Sequence, residues 1–374
     1  MTLVAPVGLS FYILEAIGYM IDVYRGTSEP EKDFSKYALF LSFFPKIMSG
    51  PIERSTNLLK QIRNGITFSY GKVKKGLLYI LWGYFIKLLI SNRLATIVNA
   101  CFDNYSQQTG LTLLICIFFY GLQLYTDFSG YSYIAIGIGH TFGFTIKDNF
   151  AQPYFSKSVT EFWSRWHISL SSWLKDYIYI PLGGNRHGQF RQYINLMITF
   201  VVSGLWHGIG FKYLIWGILH GVYQIISRLL NPLKQWLVQK SCIKQNCFSY
   251  KLVQVYSTYF IINFTWLFFR AGSTGNALDI LSIIVSDFQP GYTLADKLYL
   301  LDFNPNHFNI LLLELIILLI VDILRYKKFS IIAFLDEQNK FFRWGLYICI
   351  GLSLILGIIR DYGLEASTFI YTSF

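Results

Sequence analysis

Residues 193–223 read YINLMITFVVSGLWHGIGFKYLIWGILHGVY, and this run decides the fold. Its only ionisable side chains besides tyrosine are His207, Lys212 and His220. Such a run belongs in hydrocarbon, yet one span needs only ~20 apolar residues, so about thirty are too many for one crossing and too few for two. A break or re-entrant turn at Gly204, Gly208 and Gly210 resolves the length. Irregular backbone at that depth is tolerated only where protein or a water-filled cavity surrounds it. His207, inside the pentad Gly204-Leu205-Trp206-His207-Gly208, is therefore expected to line an intramembrane pocket. Polar groups in membrane segments are costly and usually carry function.

Composition agrees. The 374 residues are 53% hydrophobic, 18% aromatic and only 14% charged, where a soluble domain carries about 25% charged residues. Apolar runs recur near Leu3–Tyr24, Tyr37–Pro51, Gly76–Cys101, Leu111–Phe144, Tyr193–Leu230, Leu252–Phe269, Phe308–Leu324 and Trp344–Ile359. They predict an all-α, polytopic membrane bundle of about eight to ten helices, with interfacial and re-entrant segments. No internal period or linker is visible, so residues 1–374 read as a single membrane-embedded domain. The missing two-fold symmetry also counts against a transporter.

The net charge of +11 is patterned. Lys and Arg cluster at Arg54–Lys75, Lys147–Arg191, Arg228–Lys251 and Arg325–Arg343. Phe102–Gly110 has none, and Ala271–His307 sets Lys297 against Asp279, Asp287, Asp296 and Asp302. By the positive-inside rule the basic loops face the cytoplasm and the acidic ones face outward, with 193–223 a return excursion. Basic residues that follow this pattern serve topology and membrane lipids, and no nucleic-acid partner is expected. Cys242 and Cys247 fall in a basic loop where thiols stay reduced, and the five cysteines show no zinc-ligand spacing, so no metal is expected. A cleavable signal peptide is not expected, because the first positive residue, Arg25, follows the first apolar run.

Lys147–Gln192 mixes aromatics with charges and reads as short amphipathic helices at the cytoplasmic interface. Its end, Pro181-Leu182-Gly183-Gly184-Asn185, is a turn by composition. Motifs of serine hydrolases, zinc proteases and phosphate-binding loops are absent. What stands out is a pair of Trp-His dipeptides, Trp166-His167 and Trp206-His207.

Residues 162–186, FWSRWHISLSSWLKDYIYIPLGGNR, resemble the signature of membrane-bound O-acyltransferases, in the branch of alginate O-acetylases and teichoic-acid D-alanyl transferases. Residues 8–12 (GLSFY) with 21–25 (IDVYR), Phe44-Pro45 with 49–52 (SGPI), and 127–132 (DFSGYS) with 135–137 (AIG) fit the same branch. Residues 203–208 (SGLWHG) match its histidine motif. The resemblance runs from residue 3 to the C-terminus. Two departures stand out: the helices that usually precede the Gly-Leu-Ser-Phe-Tyr motif are missing, and Tyr133 stands where an aspartate is common.

The resemblance implies a bacterial cytoplasmic-membrane enzyme that moves an acyl group, acetyl by expectation, from a cytoplasmic thioester to hydroxyls of an extracellular polysaccharide. The thioester would be acetyl-CoA or an acylated carrier protein, with no bound cofactor. His207 matches the family's invariant histidine and His167 the second. An uncharged imidazole in an apolar pocket is a competent base, worth about 10²–10⁴-fold. His167 would assist by stabilising the oxyanion or holding the acceptor. Backbone N–H groups freed at the glycine break could also donate to substrate. Trp166, Trp206, Lys175, Asp176, Asn185 and Arg186 are the substrate-binding candidates, and a separate extracytoplasmic acyltransferase partner is expected. His220 falls about 220° from His207 on a continuous helix, so it reads as packing, like His140, His187 and His307. D-alanyl transfer to teichoic acid and a truncated, non-catalytic scaffold are the alternatives.

Overall fold

The computed structural model describes residues 8–289 and 305–360. Every regular element among them is helical. In chain order the α-helices begin with α1 (Leu9–Tyr24), α2 (Phe34–Ser42), α3 (Phe44–Ile47), α4 (Lys60–Asn64), α5 (Tyr70–Tyr84), α6 (Asn92–Asp103) and α7 (Gly110–Thr141). There follow α8 (Val159–Arg165), α9 (Ile168–Leu174), α10 (Gly188–Trp206), α11 (Phe211–Leu229), α12 (Asn231–Lys240), α13 (Phe248–Arg270) and α14 (Thr274–Ser286). The last are α15 (Pro305–Tyr326), α16 (Ile331–Glu337) and α17 (Lys340–Arg360). A widened helical stretch, Phe85–Ser91, joins α5 to α6.

Five helices among the described residues are long and apolar enough to cross a bilayer: Tyr70–Asp103, Gly110–Thr141, Phe248–Arg270, His307–Tyr326 and Lys340–Ile359. The chain is an all-α, multi-pass membrane protein. Helices α15 and α17 leave Leu312, Ile316, Ile320, Leu352 and Ile355 exposed, as lipid-facing helices do.

Two apolar runs divide. The run 37–51 is cut at Phe43, and the chain restarts as α3 with Pro45 in its first turn, where a missing N–H leaves no gap in the ladder. The run 193–230 becomes α10 and α11, each of 19 residues. Each is therefore about 28 Å long, close to the ~30 Å hydrocarbon thickness. The break expected at the glycines falls between Trp206 and Phe211, and the helices are longer than the apolar run because α10 starts at Gly188. The two form a deep hairpin, and its ends still return to the same basic side.

The chain builds two compact units, one of Met1–Ile97, Leu122–Asn149 and Asp302–Phe374, the other of Val98–Gly121 and Phe150–Leu301. In the first, glycines let two long helices touch. A Cβ at Gly76 would lie 2.5 Å from the Gly137 carbonyl oxygen, and one at Gly83 2.7 Å from that of Gly130. Both glycine pairs are spaced two turns apart, which keeps an antiparallel crossing in register. Charges buried in this unit are paired: Lys46 with Glu15, Lys87 with Asp127, and Arg93 with Glu314. An isolated charge there would carry a desolvation cost of several kcal/mol. Tyr133 accepts a hydrogen bond from Arg325, whose guanidinium sits 4.8 Å from its ring centroid. The phenol therefore meets the cation that an aspartate would also satisfy.

The second unit is organised around the α10–α11 hairpin. A Cβ at Gly204 would lie 2.4 Å from the Tyr213 carbonyl oxygen, and one at Gly217 2.4 Å from that of Phe200. Backbone therefore rests on backbone along the seam, which only small residues permit. Helix α13 lies along α11, with Trp266 and Phe269 against Trp216 (5.8 and 5.6 Å between ring centroids).

Candidate active site

Helix α10 ends one residue before His207. The His207 N–H donates to the Gly204 carbonyl (3.1 Å) and the Gly208 N–H to that of Leu205 (3.2 Å), so the last turn tightens and stops. Gly208 has φ +150, and a Cβ there would lie 2.5 Å from the Tyr213 ring, so only glycine fits. The N–H groups at the turn are thus already engaged. At the start of α11 the Tyr213 N–H turns back to the Gly210 carbonyl (3.0 Å), so the helix-start donors without an intrahelical partner are those of Phe211 and Lys212.

Buried His207 is walled by rings. Its centroid lies 4.8 Å from Trp206, 5.1 Å from Trp216 and 5.3 Å from Phe269, each edge to face. His167 approaches from another element. Ser158 caps α8 by accepting from the Glu161 N–H (3.1 Å), and Arg165 pairs with Glu161 (2.8 Å), fixing this short helix. Helix α8 then stops at extended Trp166, and His167 takes left-handed φ 43 before α9 begins. A non-glycine residue in that region is uncommon and must be held by its surroundings. The elbow buries His167 with its ring 6.2 Å from Trp206, so the two histidines flank one indole.

His220 also belongs to this aromatic box. The Trp163 Nε1–H donates to His220 Nδ1 (3.2 Å), so the opposite nitrogen carries the proton and donates to Thr265 Oγ1 (3.0 Å). Thr265 in turn donates to the Ile262 carbonyl (2.6 Å). His220 is thus a satisfied packing residue, as its sequence position suggested. The phase argument behind that suggestion fails, however, because the helix break resets the angle. Both His207 and His220 lie against Trp216, at 5.1 and 4.8 Å.

The remaining candidates separate into two groups. Trp166 is buried among Phe150, Phe162 and Trp266 and forms the floor beneath the elbow (5.1, 5.5 and 5.2 Å). Lys175 and Asp176 open the widened turn Lys175–Tyr179 after α9. Asn185 and Arg186 are exposed in the loop that follows. That loop is pinned to the far end of α10, where Asn195 donates to the Gly184 carbonyl (2.9 Å). Asn195 is twelve residues from His207, about 18 Å along the helix, so Asn185 and Arg186 lie away from His207.

Sequence reasoning did not single out Trp216 and Phe269, which come from α11 and α13. Among the described residues the Trp216 indole N–H is buried without a hydrogen-bond partner. A buried orphan donor beside an imidazole is available to a developing oxyanion. An apolar groove of about 620 Å³ lined by Phe118, Tyr256, Tyr259 and Phe260 involves none of the histidines. Among the described residues no cluster of three His, Cys, Asp or Glu side chains could hold a metal ion.

A multi-pass helical protein with two buried histidines on one indole is the class that fold and site define. Residues 31–271 match the membrane-bound O-acyltransferase (MBOAT) family, and the chain belongs to it. It is 42% identical over 266 residues to the "Probable alginate O-acetylase AlgI" of Pseudomonas putida, covering 71% of this chain and 52% of that protein. It is 33% identical over 309 residues to the peptidoglycan O-acetyltransferase of Helicobacter pylori, covering 76% and 57%. It is 25% identical over 268 residues to the teichoic acid D-alanyltransferase of Bacillus subtilis, covering 69% and 67%. The chain spans about half the length of the first curated relatives it matches.

Proposed function

We propose that this chain is the catalytic part of an O-acyltransferase of a bacterial cytoplasmic membrane. An acyl thioester, acetyl-CoA or an acylated carrier protein, delivers its acyl group from the basic face to a hydroxyl of an extracellular polysaccharide. The two units serve one catalytic domain, since the chain passes repeatedly between them. His207 takes the proton of the attacking hydroxyl. The new C–O bond forms at the thioester carbonyl, the C–S bond breaks, and the thiolate receives the proton from the imidazolium. The oxyanion formed on the way is met by donors in the box, Trp216 Nε1–H and His167 being candidates. Lys175 and Arg186 hold the donor's anionic parts while its acyl end reaches His207. A separate extracytoplasmic protein assists at the acceptor side.

The observation that carries this reading is the pairing of His207 and His167 across Trp206, both in stretches that match the family. The O-acetylating relatives favour an acetyl group. The Bacillus subtilis relative keeps D-alanine as the second reading. The test is NMR of ester-linked acyl groups on purified envelope and secreted glycans. The parent strain, a deletion, and complements with His207→Ala or His167→Ala would be compared at matched membrane levels. Esters lost in the deletion and absent with His207→Ala support the reading. Full restoration by His207→Ala would sink it. The spectrum also separates acetyl from D-alanyl esters.

A further inference from the structure

The outward end of the second unit holds two cysteines that the proposed chemistry does not use. The span Tyr70–Asp103 starts from the basic loop Arg54–Lys75, so by the positive-inside rule it ends on the outward side. Residues 98–110 and 271–287 contain no Lys or Arg and carry Asp103, Asp279 and Asp287. The two stretches meet: the Gly110 N–H donates to the Asp287 carbonyl (3.0 Å), and Tyr105 OH to Asp279 (3.4 Å). Cys101 lies two residues before the end of α6, and Cys116 six residues into α7, about 9 Å from its start.

The two are placed as a pair. Both are buried, at 0% and 1% exposure, and their side chains hydrogen-bond to each other. Phe102 and Tyr120 pack across the same two helices (6.3 Å between ring centroids). A disulfide needs Cβ atoms about 4 Å apart with converging bonds, and sulfurs that already touch across packed helices point toward each other as that geometry requires. The other cysteines contrast with them. Cys242 and Cys247 fall in the basic loop between α12 and α13, on the side where thiols stay reduced, and Cys349 is exposed on α17.

We propose that Cys101 and Cys116 are oxidised to a disulfide that joins α6 to α7 at the outward end of this unit. The proposal stands independently of the acyltransfer reading. Compartments outside the cytoplasm are where disulfides form and persist. The thiolate of one cysteine attacks a disulfide of an extracytoplasmic thiol oxidase, and the thiolate of the other then displaces the mixed disulfide. One S–S bond replaces two S–H bonds, and the oxidase leaves as a dithiol with the two electrons and two protons. Because the pair is sealed from solvent once folded, the exchange takes place before the α6–α7 hairpin closes, and the finished bond is then out of reach of small thiols. The bond ties down the end of α6 that carries Asn99 and Phe102, which hold Arg270 (2.9 and 5.1 Å). Arg270 follows Phe269, a wall of the His207 box (5.3 Å), so the disulfide braces that wall from behind.

The test counts thiols in the full chain. Membranes are quenched in acid, the protein is unfolded and alkylated without reductant, and its intact mass gives the number of labelled cysteines. Three of the five label before reduction and all five after it. Cys101→Ala and Cys116→Ala each leave four cysteines, all labelled without reductant. Should either variant fail to accumulate, digestion of the unreduced wild-type chain still decides, because the peptides carrying residues 101 and 116 run as one species that reductant splits. Reductant present during thermal unfolding also lowers the wild-type melting point by several degrees and leaves the variant with both substitutions unmoved. Five labelled thiols before reduction, or a protected pair that maps to Cys242 and Cys247, overturns the proposal. A wild-type melting point indifferent to reductant overturns the brace.

Discussion

Gly204→Ala tests whether the hairpin seam places His207. A Cβ at residue 204 would sit 2.4 Å from the Tyr213 carbonyl oxygen, and ordinary contact begins at 3.4 Å. The obstacle is backbone, so no side chain can swing aside, and α10 and α11 must part by about 1 Å to reach ordinary separation. Overpacking of this kind costs roughly 1–3 kcal/mol, which a multi-pass bundle can survive. The catalytic cost is larger. His207 is three residues along from the wedge, and Tyr213, whose carbonyl is displaced, packs on Phe269 beside the imidazole. A misplacement of about 1 Å at a reacting group can cost ~10²-fold in rate. Ester formation is therefore expected to fall about a hundredfold in Gly204→Ala, at matched membrane levels and with only a modest loss in the melting point followed by size-exclusion chromatography. Gly345→Ala is the control, because nothing lies within 4 Å of its Cβ position. Wild-type transfer by folded Gly204→Ala would refute the claim that the seam sets the imidazole.

Two further outcomes follow from buried polar contacts. Lys87→Met and Asp127→Asn should each lower stability by about 3–5 kcal/mol by stranding the partner charge, whereas Lys87→Met with Asp127→Leu should recover part of the loss; yields and melting points check this. Thr265→Val leaves the His220 Nε2–H without its acceptor, and should lower the melting point by an amount worth about 1–3 kcal/mol. It should slow transfer far less than His207→Ala, since His220 meets His207 through intervening rings, Trp216 among them.

The glycines at 204, 208 and 210 announced the helix break, because a run too long for one span had to bend somewhere. The partners of His207 were not legible in the same way. Trp216 reaches the imidazole across the seam where Gly204 and Gly217 bring α10 and α11 into contact, and Phe269 comes from α13, far along the chain. Periodicity also misled at His220, since an angle counted along a helix loses meaning across a turn. Asn185 and Arg186 follow His167 closely in sequence, yet Asn195 holds their loop well back along α10. In the stretch 127–137, Gly130 and Gly137 stand where α5 touches α7. A motif match there reports packing as much as chemistry.

A deep hairpin suits the proposed reaction better than a shallow loop would. Its two ends open on basic segments, at Arg186–Arg191 and at Arg228, and its tip carries His207 to the level where α13 ends at Arg270. The donor and the acceptor differ in bulk: a thioester rides on a narrow flexible arm, whereas a polysaccharide cannot thread a packed helical layer. Putting the base near the acid-lined end lets the slender reactant make the long journey, about 28 Å along α10, while the polymer stays outside. On this reading the distance between Arg186 and His207 is a functional length. The Trp and Phe walls around His207 would then keep water from the thioester once it reaches the base, where hydrolysis would otherwise consume it.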